Sequence, residues 1–340
     1  MKSTTIIDVA KCAGVSVATV SRVVNGNYPV KEETKKKVLD AIKELHYVQN
    51  IQARELNTRQ STTIGVVVPS LFNMFFAEVF DGIEEYIKHY NYSMLITCAK
   101  DNPLKEKQCM QELLSRNVCG IINISPNTYA VEAAFYDQIA ARVPLVFINS
   151  YVKRPGISYV SNDEASGTKM ALNHLLKLGH RHILFIRGMS SDSYEIKEEI
   201  YRKMMFEYKV KPYVLNIGEG NIEKTVDNTL AKVMMAIQSG RKITAIFACN
   251  DLMAVGAING CHRLGINVPE DLSIVGFDNI SISRFIEPKL TTIDQNMSLL
   301  GQSATALLME KIESQNTVSD EIILENTLIK RNTTAPIKTV

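Results

Sequence analysis

The chain has 340 residues, of which 46% are hydrophobic and 22% are charged. This balance is typical of an ordinary globular protein of two to three domains, and it excludes a chain that is disordered for lack of apolar residues. The formal net charge is only +2, but residues 1–60 carry ten Lys and Arg against six Asp and Glu, a net of +4 that leaves −2 on the remainder. The positive charge is concentrated at the N-terminus.

Six cysteines lie at positions 12, 98, 109, 119, 249 and 261, without a C-x-x-C pair. Most of them interrupt apolar runs, so we expect small buried hydrophobic residues in a reducing compartment. His180 and His182 lack a third ligand nearby, and we expect neither a metal site nor a cofactor. There is no apolar leader and no apolar run near the ~18 residues that span a bilayer, which predicts a cytoplasmic protein without membrane contact.

Residues 5–26 read TIIDVAKCAGVSVATVSRVVNG and predict two short helices joined through a glycine. Each helix opens on a hydroxyl N-cap with a polar partner three residues later, Thr5 with Asp8 and Ser16 with Thr19. This is the pattern of a helix-turn-helix.

The second of these helices has two different faces. Val20, Val23 and Val24 are predicted to point inward. The opposite face is small, polar and basic, and consists of Val17, Ala18, Ser21, Arg22 and Asn25. A helix that enters a DNA major groove needs small residues for close approach and an arginine for a base edge. The alternative is a generic helical hairpin, whose exposed face would normally carry long charged residues.

Apolar periodicity predicts a third helix over about 32–46, which closes a three-helix head over residues 1–49. Lys31 precedes this helix in place of a capping residue. Residues 50–60 are predicted to form a hinge helix, capped by Asn50, and a linker. A helix this short is marginal alone, so we expect it to become ordered when docked on DNA.

From Ile64 onward, short apolar runs alternate with amphipathic helices. This pattern predicts two α/β subdomains in series, each with a parallel sheet, and a cleft between them. The first series of runs lies at 64–69, 93–98, 119–124 and 144–149, and the second at 157–160, 183–187, 243–248 and 272–277.

The head resembles that of the lactose-repressor (LacI/GalR) family of bacterial transcription regulators, which shares the D-V-A, A-G-V-S, T-V-S-R-V and N-G elements. The likeness continues through Tyr47, Asn50, Ala53, Arg54 and Leu56, and then over most of the chain. It implies a periplasmic-binding-protein-like core for effector binding and dimerisation over 61–340, in which the helix 298–314 returns to the first subdomain. The first subdomain is then expected over about 61–160 and 292–320, and the second over about 161–291 and 321–335.

Arg22 is predicted to read a guanine through a bidentate contact, while Val17, Ala18 and Asn25 contact neighbouring bases. By resemblance, phosphates would be held by Thr5, Ser16, Thr19, Ser21, Thr34 and Tyr47. Val17 and Ala18 are similar to the purine-repressor and catabolite-control branch of the family. This favours a double-stranded, pseudo-palindromic operator with a central C-G step.

In the hinge segment, Leu56 is predicted to wedge into the minor groove and kink the duplex, with Asn50 and Ala53 beside it. The alternative is that Leu56 is an ordinary core leucine. Gln49 replaces the proline that the family usually has, so the start of the hinge is less fixed in conformation.

Ligands of open α/β sheets bind beyond the carboxyl ends of the strands. The residues predicted there, at the family's clamp position and at the hinge crossing, are Asn73, Phe75, Ser125, Asp163, Lys197, Asn250, Asp251 and Gln295. Carboxylates and amides bind paired hydroxyls and an aromatic face packs on a sugar ring, so these residues predict a carbohydrate-like effector. Asn250 has the alternative role of a helix cap.

Lys197 is the main departure from the family, which typically has an arginine here that clamps the effector. A lysine cannot form the planar guanidinium fork, so we expect an unusual effector. A similar lysine occurs in catabolite-control proteins, whose main co-effector is a phosphorylated carrier protein. The arginines that grip that partner are replaced in this chain by Ser281 and Ala306.

The sequence thus predicts a homodimeric DNA-binding regulator, in the first place a repressor of a carbohydrate-related operon. No nucleophile motif, phosphate loop or metal constellation indicates an enzyme. One alternative is a regulator that answers to a protein co-effector. The other is a sugar-binding uptake receptor, which would need a signal peptide and would lack the basic head. The C-terminus NTTAPIKTV has no heptad leucines, so no tetramer-forming tail is expected.

Overall fold

A computed structural model describes residues 4–26, 28–48, 61–90, 92–128, 130–189 and 191–337. The chain divides into two compact units, Met1–Ser61 and Thr62–Val340. The predicted hinge residues Asn50, Ala53 and Leu56 lie outside the described residues, so their role stays a prediction.

The first unit contains the three expected helices, α1 (Ile6–Ala13), α2 (Val17–Asn25) and α3 (Glu32–Glu44). They enclose one small core built from Val9, Ala10, Val20, Val38 and Ala41. The third helix ends two residues earlier than predicted, because the backbone at His46 turns into the left-handed region with φ +48°.

The predicted caps of the helix-turn-helix are confirmed. Thr5 and Asp8 form a full capping box, in which the Asp8 carboxylate accepts from the Thr5 backbone N–H at 2.9 Å. Ser16 Oγ accepts from the Thr19 backbone N–H at 3.2 Å. Lys31 gives α3 no side-chain cap. The sequence therefore fixes where α1 and α2 begin through interactions that span only three residues.

The second unit contains, in chain order, β1 (Thr63–Val68), α4 (Met74–Ile87), β2 (Ser93–Cys98), α5 (Pro103–Ser115), β3 (Ile121–Ile124), α6 (Ala133–Ala140), β4 (Leu145–Ile148), β5 (Ile157–Asn162), α7 (Glu164–Lys177), β6 (Ile183–Arg187), α8 (Asp192–Glu207), β7 (Tyr213–Asn216), α9 (Thr225–Gln238), β8 (Ala245–Ala248), α10 (Asp251–Arg263), β9 (Ser273–Val275), α11 (Ile282–Phe285), β10 (Thr292–Asp294), α12 (Met297–Ser314), β11 (Glu321–Leu324) and β12 (Thr327–Ile329). Among the described residues, no helix is both long and apolar enough to cross a membrane.

These elements form two parallel sheets, as the alternation of runs and helices predicts. The first has six strands in the order β11-β5-β4-β3-β1-β2, and the second has four in the order β7-β6-β8-β9. The chain passes between them after β5, again through β10 into α12, and finally between β11 and β12. The strands β10 and β12 pair antiparallel, so two of these passages are hydrogen-bonded to each other.

Two assignments from the sequence need correction. The run at 157–160 closes the first series instead of opening the second, because β5 pairs with β4. Residues 321–324 form β11 at the edge of the first sheet, where Ile322 lies beside Val160, and do not belong with the second subdomain. Both corrections concern the pairing of β5, which lies between β4 and β11 in the first sheet.

The cysteines are less buried than expected. Cys249 and Cys261 are buried, whereas Cys12 is exposed and the cysteines at 98, 109 and 119 are half-buried. An apolar run at the margin of a sheet or helix leaves such side chains partly open to solvent. The expectation of small buried hydrophobic residues is therefore correct for only two of the six.

Helices α4 and α12 contact each other closely, and each contributes one glycine to the contact, Gly82 and Gly301. A Cβ added to Gly82 would lie 2.1 Å from the Ser298 carbonyl oxygen, and one added to Gly301 would lie 2.1 Å from the Val79 carbonyl oxygen. Since these neighbours are backbone atoms, no side chain can move aside to make room. The close contact holds α4, which carries Asn73 at its start, against the helix that follows the second passage between the sheets.

We expect Gly82→Ala and Gly301→Ala each to lower the free energy of unfolding by about 3 kcal/mol, the upper part of the range for overpacking. Gly260→Ala is the matched control, because its Cβ would meet the nearest atom at 3.2 Å. There the gain in helix propensity of about 1 kcal/mol offsets a milder contact. Thermal melting of all three variants tests this, and equal losses would contradict the proposed backbone contact.

Candidate functional site

The exposed face of α2 carries the residues predicted to contact bases. Val17, Ala18 and Arg22 are exposed, while the inward Val20 is fully buried. The Arg22 guanidinium lies 5.5 Å from the centroid of the Tyr28 ring. The face is thus convex, small and tipped by one cation, a shape that matches a major groove.

The polar end of this face is ordered by its own hydrogen bond, in which Asn25 Nδ2 donates to Ser21 Oγ at 3.2 Å. The remaining residues predicted to bind phosphate fall into two groups. Thr5 and Ser16 cap the N-termini of α1 and α2 and lie exposed, so both helix ends can present backbone N–H groups to an anion. Thr19, Thr34 and Tyr47 are half-buried, and Tyr47 packs against the head core. Their contacts with DNA stay a prediction.

A cavity of about 370 Å³ lies in the second unit, beyond the carboxyl ends of strands from both sheets. Six of the predicted effector residues line it, namely Asn73, Phe75, Ser125, Lys197, Asn250 and Gln295. The structure therefore brings together side chains that are up to 222 residues apart in the sequence, from Asn73 to Gln295.

Asp163 and Asp251 do not line this cavity, which corrects the expectation for both. Asp163 is exposed and caps α7, accepting from the Ser166 backbone N–H at 2.8 Å. In each case the neighbouring residue faces the cavity instead, Glu164 in the first and Asn250 in the second.

Asp251 is completely buried behind the cavity wall. Its carboxylate accepts from Thr292 Oγ1 at 2.5 Å and from the Ile280 backbone N–H at 3.0 Å. Burial raises the pKa of this carboxyl to about 8, although these hydrogen bonds oppose the shift. The residue therefore holds the second passage between the sheets in place.

Asp278 is a cavity residue that the sequence reasoning missed. It is 5% exposed, and its Oδ1 accepts from Gln295 Nε2 at 2.5 Å. Burial raises the pKa of Asp278, while the ammonium of Lys197 lowers it. Asp163 and Asp278 each stand three residues after a valine, Val160 and Val275, so a comparison of the two segments would have found Asp278.

Gln295 connects this cavity to the passage between the sheets, as expected from its position. Its Oε1 accepts from Asn162 Nδ2 at 2.9 Å, while its Nε2 donates to Asp278. Asn162 ends β5 in the first sheet, and Asp278 follows β9 in the second. One buried amide thus joins the ends of both sheets.

Lys197 is buried, and its ammonium makes one ion pair and two hydrogen bonds within the protein. Its Nζ lies 3.0 Å from Glu164 Oε2 and donates to Ser193 Oγ at 3.0 Å and to the Cys249 carbonyl at 3.2 Å. It also stands 3.7 Å from the centroid of the Phe277 ring. The lysine is therefore part of the cavity wall, bound to the protein itself.

Hydrogen bonds cross the mouth of the cavity from one subdomain to the other. Ser70 Oγ donates to the Asn221 carbonyl at 2.7 Å, and Asn73 Nδ2 donates to Asn221 Oδ1 at 2.9 Å. Thr128 Oγ1 donates to Asp192 Oδ2 at 3.0 Å. The loop that carries Asn221 follows no apolar run long enough to have been noticed in the sequence.

Asn250 caps a helix and also lines the cavity. Its Oδ1 caps α10 by accepting from the Met253 backbone N–H at 2.9 Å, and its Nδ2 donates to the Gly220 carbonyl at 3.0 Å. The side chain lines the cavity while it does so. A cap of this kind fixes the side-chain direction, which prearranges the cavity wall.

Comparison with known families matches both units. The sequence model described as "Bacterial regulatory proteins, lacI family" matches residues 5–50, and that of a periplasmic binding protein-like domain matches residues 172–334. Catabolite control protein A of Priestia megaterium is 36% identical over 321 residues, which cover 94% of this chain and 95% of that protein.

Solved structures of regulators of this kind also superpose on the chain. The lac repressor dimer bound to operator and the anti-inducer ONPF superposes with a TM-score of 0.86 at 30% identity, over 98% of this chain and 100% of that one. A LacI family regulator from Enterococcus faecium with bound ribose gives a TM-score of 0.72 at 27% identity, over 81% of this chain and 100% of that one.

We expect Asp251→Ala to lower the free energy of unfolding by about 2 to 4 kcal/mol, because two buried donors lose their acceptor. Asp163→Ala should cost only about 1 kcal/mol, the value of an exposed cap. Thermal melting of both variants and the wild type tests this, and we expect the larger fall in melting temperature for Asp251→Ala.

The Asp251 effect should depend on pH. Its folded-state pKa is raised to about 8, so the protonated form favours folding. That contribution is complete below about pH 4 and is lost progressively as the pH rises to 8. The difference in melting temperature between wild type and Asp251→Ala should therefore shrink from pH 5 to pH 8.5. A difference that grows would contradict the raised pKa.

Proposed function

Because the chain belongs to the LacI family of bacterial regulatory proteins, we propose that it is a sequence-specific transcriptional repressor whose operator binding is controlled by a small molecule in the cavity. The single observation that carries the DNA-binding part is the exposed face of α2. It presents Val17, Ala18 and Arg22 from a helix whose start is fixed by the Ser16 cap.

The operator is a pseudo-palindromic duplex bound by a homodimer. The lac repressor relative is itself described as a dimer bound to operator, which supports this assembly. Two copies of α2 then read two half-sites related by the same twofold axis. The resemblance of Val17 and Ala18 to the purine-repressor and catabolite-control branch supports a central C-G step. We place the protein in the cytoplasm, where operator DNA is found.

The cavity supports control by a carbohydrate-like molecule. Its amides and its aromatic side chain Phe75 offer the groups that bind hydroxyls and pack on a sugar ring, and a structural relative is described with ribose bound. A ligand that contacts both subdomains favours one angle between them over another, because only differential binding shifts an equilibrium. The passage held by Gln295 is where that angle changes.

Control by a protein co-effector is the weaker alternative. It would need cations at positions 281 and 306, where this chain has Ser281 and Ala306. The Ser281 backbone N–H and hydroxyl both donate to Glu78 Oε1 at 3.0 Å. Ser281 is thus hydrogen-bonded to another residue of the protein.

The test is selection of DNA from a random pool by the full-length protein, followed by binding measurements on the enriched sequence. We expect a palindrome to be enriched. Arg22→Ala should weaken binding to it by about 1 to 3 kcal/mol per half-site and relax preference at one base, because a bidentate contact is lost.

Lys35→Ala is the control, since a lysine that contacts phosphate adds affinity without sequence preference. Binding by fluorescence anisotropy at fixed salt compares the enriched and scrambled duplexes. If Arg22→Ala weakens both duplexes equally, the base contact is wrong. If the wild type enriches no palindrome, the repressor function is wrong.

A further inference from the structure

The cavity is strongly acidic. Among the described residues that line it, six are carboxylic acids and one is a cation, Lys197. The acids are Asp101, Glu106, Glu164, Asp192, Glu219 and Asp278. Lys197 is ion-paired with Glu164 at 3.0 Å, both side chains being 2% exposed, so one cation stands against six acids.

The other five acids have no cationic hydrogen-bond or ion-pair partner within the described part of the chain. Glu106 is satisfied by neutral donors, with Asn123 Nδ2 at 2.8 Å, Tyr136 Oη at 2.5 Å and the Asn127 backbone N–H at 3.0 Å. Asp192 is only half satisfied, because Oδ2 accepts from Thr128 while the buried Oδ1 has no partner in the described structure.

Besides the acidic lining, the side chain of Asp278 is a second indication that a ligand binds in this cavity. Its side chain is 95% buried, since its exposed fraction is 5%, and it lines the cavity. Gln295 donates to Oδ1, and among the described residues no donor reaches Oδ2. Oδ2 is therefore free to accept a hydrogen bond from a group that enters the cavity with a donor.

Asp101 and Glu219 add charge from opposite sides of the cleft. Asp101 follows β2 of the first sheet, and Glu219 lies in the loop after β7 of the second. Burial raises the pKa of Asp101 to about 7, and the negative charges of Glu219 and Glu106 act in the same direction. Bringing the subdomains together over like charges is unfavourable, and a cation between them removes that cost.

Building on the proposed function, we propose that the small molecule bound in this cavity carries a protonated amino group, and that phosphorylated and carboxylated molecules are excluded. An ammonium offers three donors to carboxylates that lack them. An anion would be repelled by the same groups. Two sources share this chemistry, an amino sugar and a polyamine.

Matched sets of probes distinguish these sources. Glucosamine, galactosamine and mannosamine are each compared with the parent hexose and its 6-phosphate, and putrescine is compared with 1,4-butanediol and succinate. Melting temperature and calorimetry on the full-length protein report binding. We expect at least one amine to bind about tenfold or more tightly than its neutral counterpart, and the anionic members not to bind. A hexosamine assigns an amino sugar, and putrescine assigns a polyamine.

The proposal is overturned if a neutral or anionic member binds as tightly as its amine, or if no amine in these sets raises the melting temperature. Single substitutions then identify the carboxylates that contribute to binding of the amine. Asp101→Asn and Glu219→Gln should each weaken binding of the selected amine about tenfold. Glu223→Gln should not, because this exposed carboxylate lies four residues from Glu219 and outside the cavity lining. Equal binding by all variants would also reject the proposal.

Operator binding is measured on the same preparations without ligand. Loss of sequence preference in the wild type rejects the repressor function, whereas the melting shift with amines does not depend on DNA. The two failures are therefore distinguishable. A preparation that binds its operator but ignores every amine rejects only the ligand class.

Discussion

The second passage of the chain between the two sheets depends on a few buried hydrogen bonds, and the site depends on that passage. Thr292 Oγ1 is held by Asp251, and Gln295 joins Asn162 at the end of the first sheet to Asp278 beyond the second. Buried polar groups tolerate few arrangements, because an unpaired one is costly. The passage is therefore restricted to arrangements that keep these bonds, and the carboxyl ends of both sheets meet around one cavity.

The same bonds couple the cavity to the angle between the subdomains. Asp278 gives one oxygen to Gln295 and has the other available to a ligand. A donor that binds Asp278 changes the charge next to the amide that links the two sheets. Across the mouth, a ligand must also fit among the bonds that Asn221 makes with Ser70 and Asn73. Binding and cleft angle thus share atoms, which is the physical requirement for allosteric control.

The head could be predicted almost completely from the sequence, because its caps and inward valines depend on residues three or four apart. In the core, the sequence indicated which strand ends form the site but not which side chain at each end faces it. Asp163, Asn250 and Asp251 were predicted at two of these ends, whereas Glu164 and Asn250 line the cavity. Asp163 and Asn250 both cap the helix that follows, yet only Asn250 lines the cavity, so a cap pattern in the sequence does not indicate which side chain faces it. The position of β11 was missed because only pairing with β5, about 160 residues away in the chain, decides it.

Lys197 shows how one substitution changes what a site selects. An arginine clamp keeps a cation available to the ligand, with five donors in a fixed plane. In this chain the ammonium is ion-paired with Glu164, donates to Ser193 and to the Cys249 carbonyl, and is buried together with Glu164. An arginine placed there would bring more donors than the described surroundings accept. The positive charge of Lys197 is therefore paired within the protein. Among the residues that the structure describes, the other carboxylates of the cavity have no cation of their own and favour a ligand that carries one.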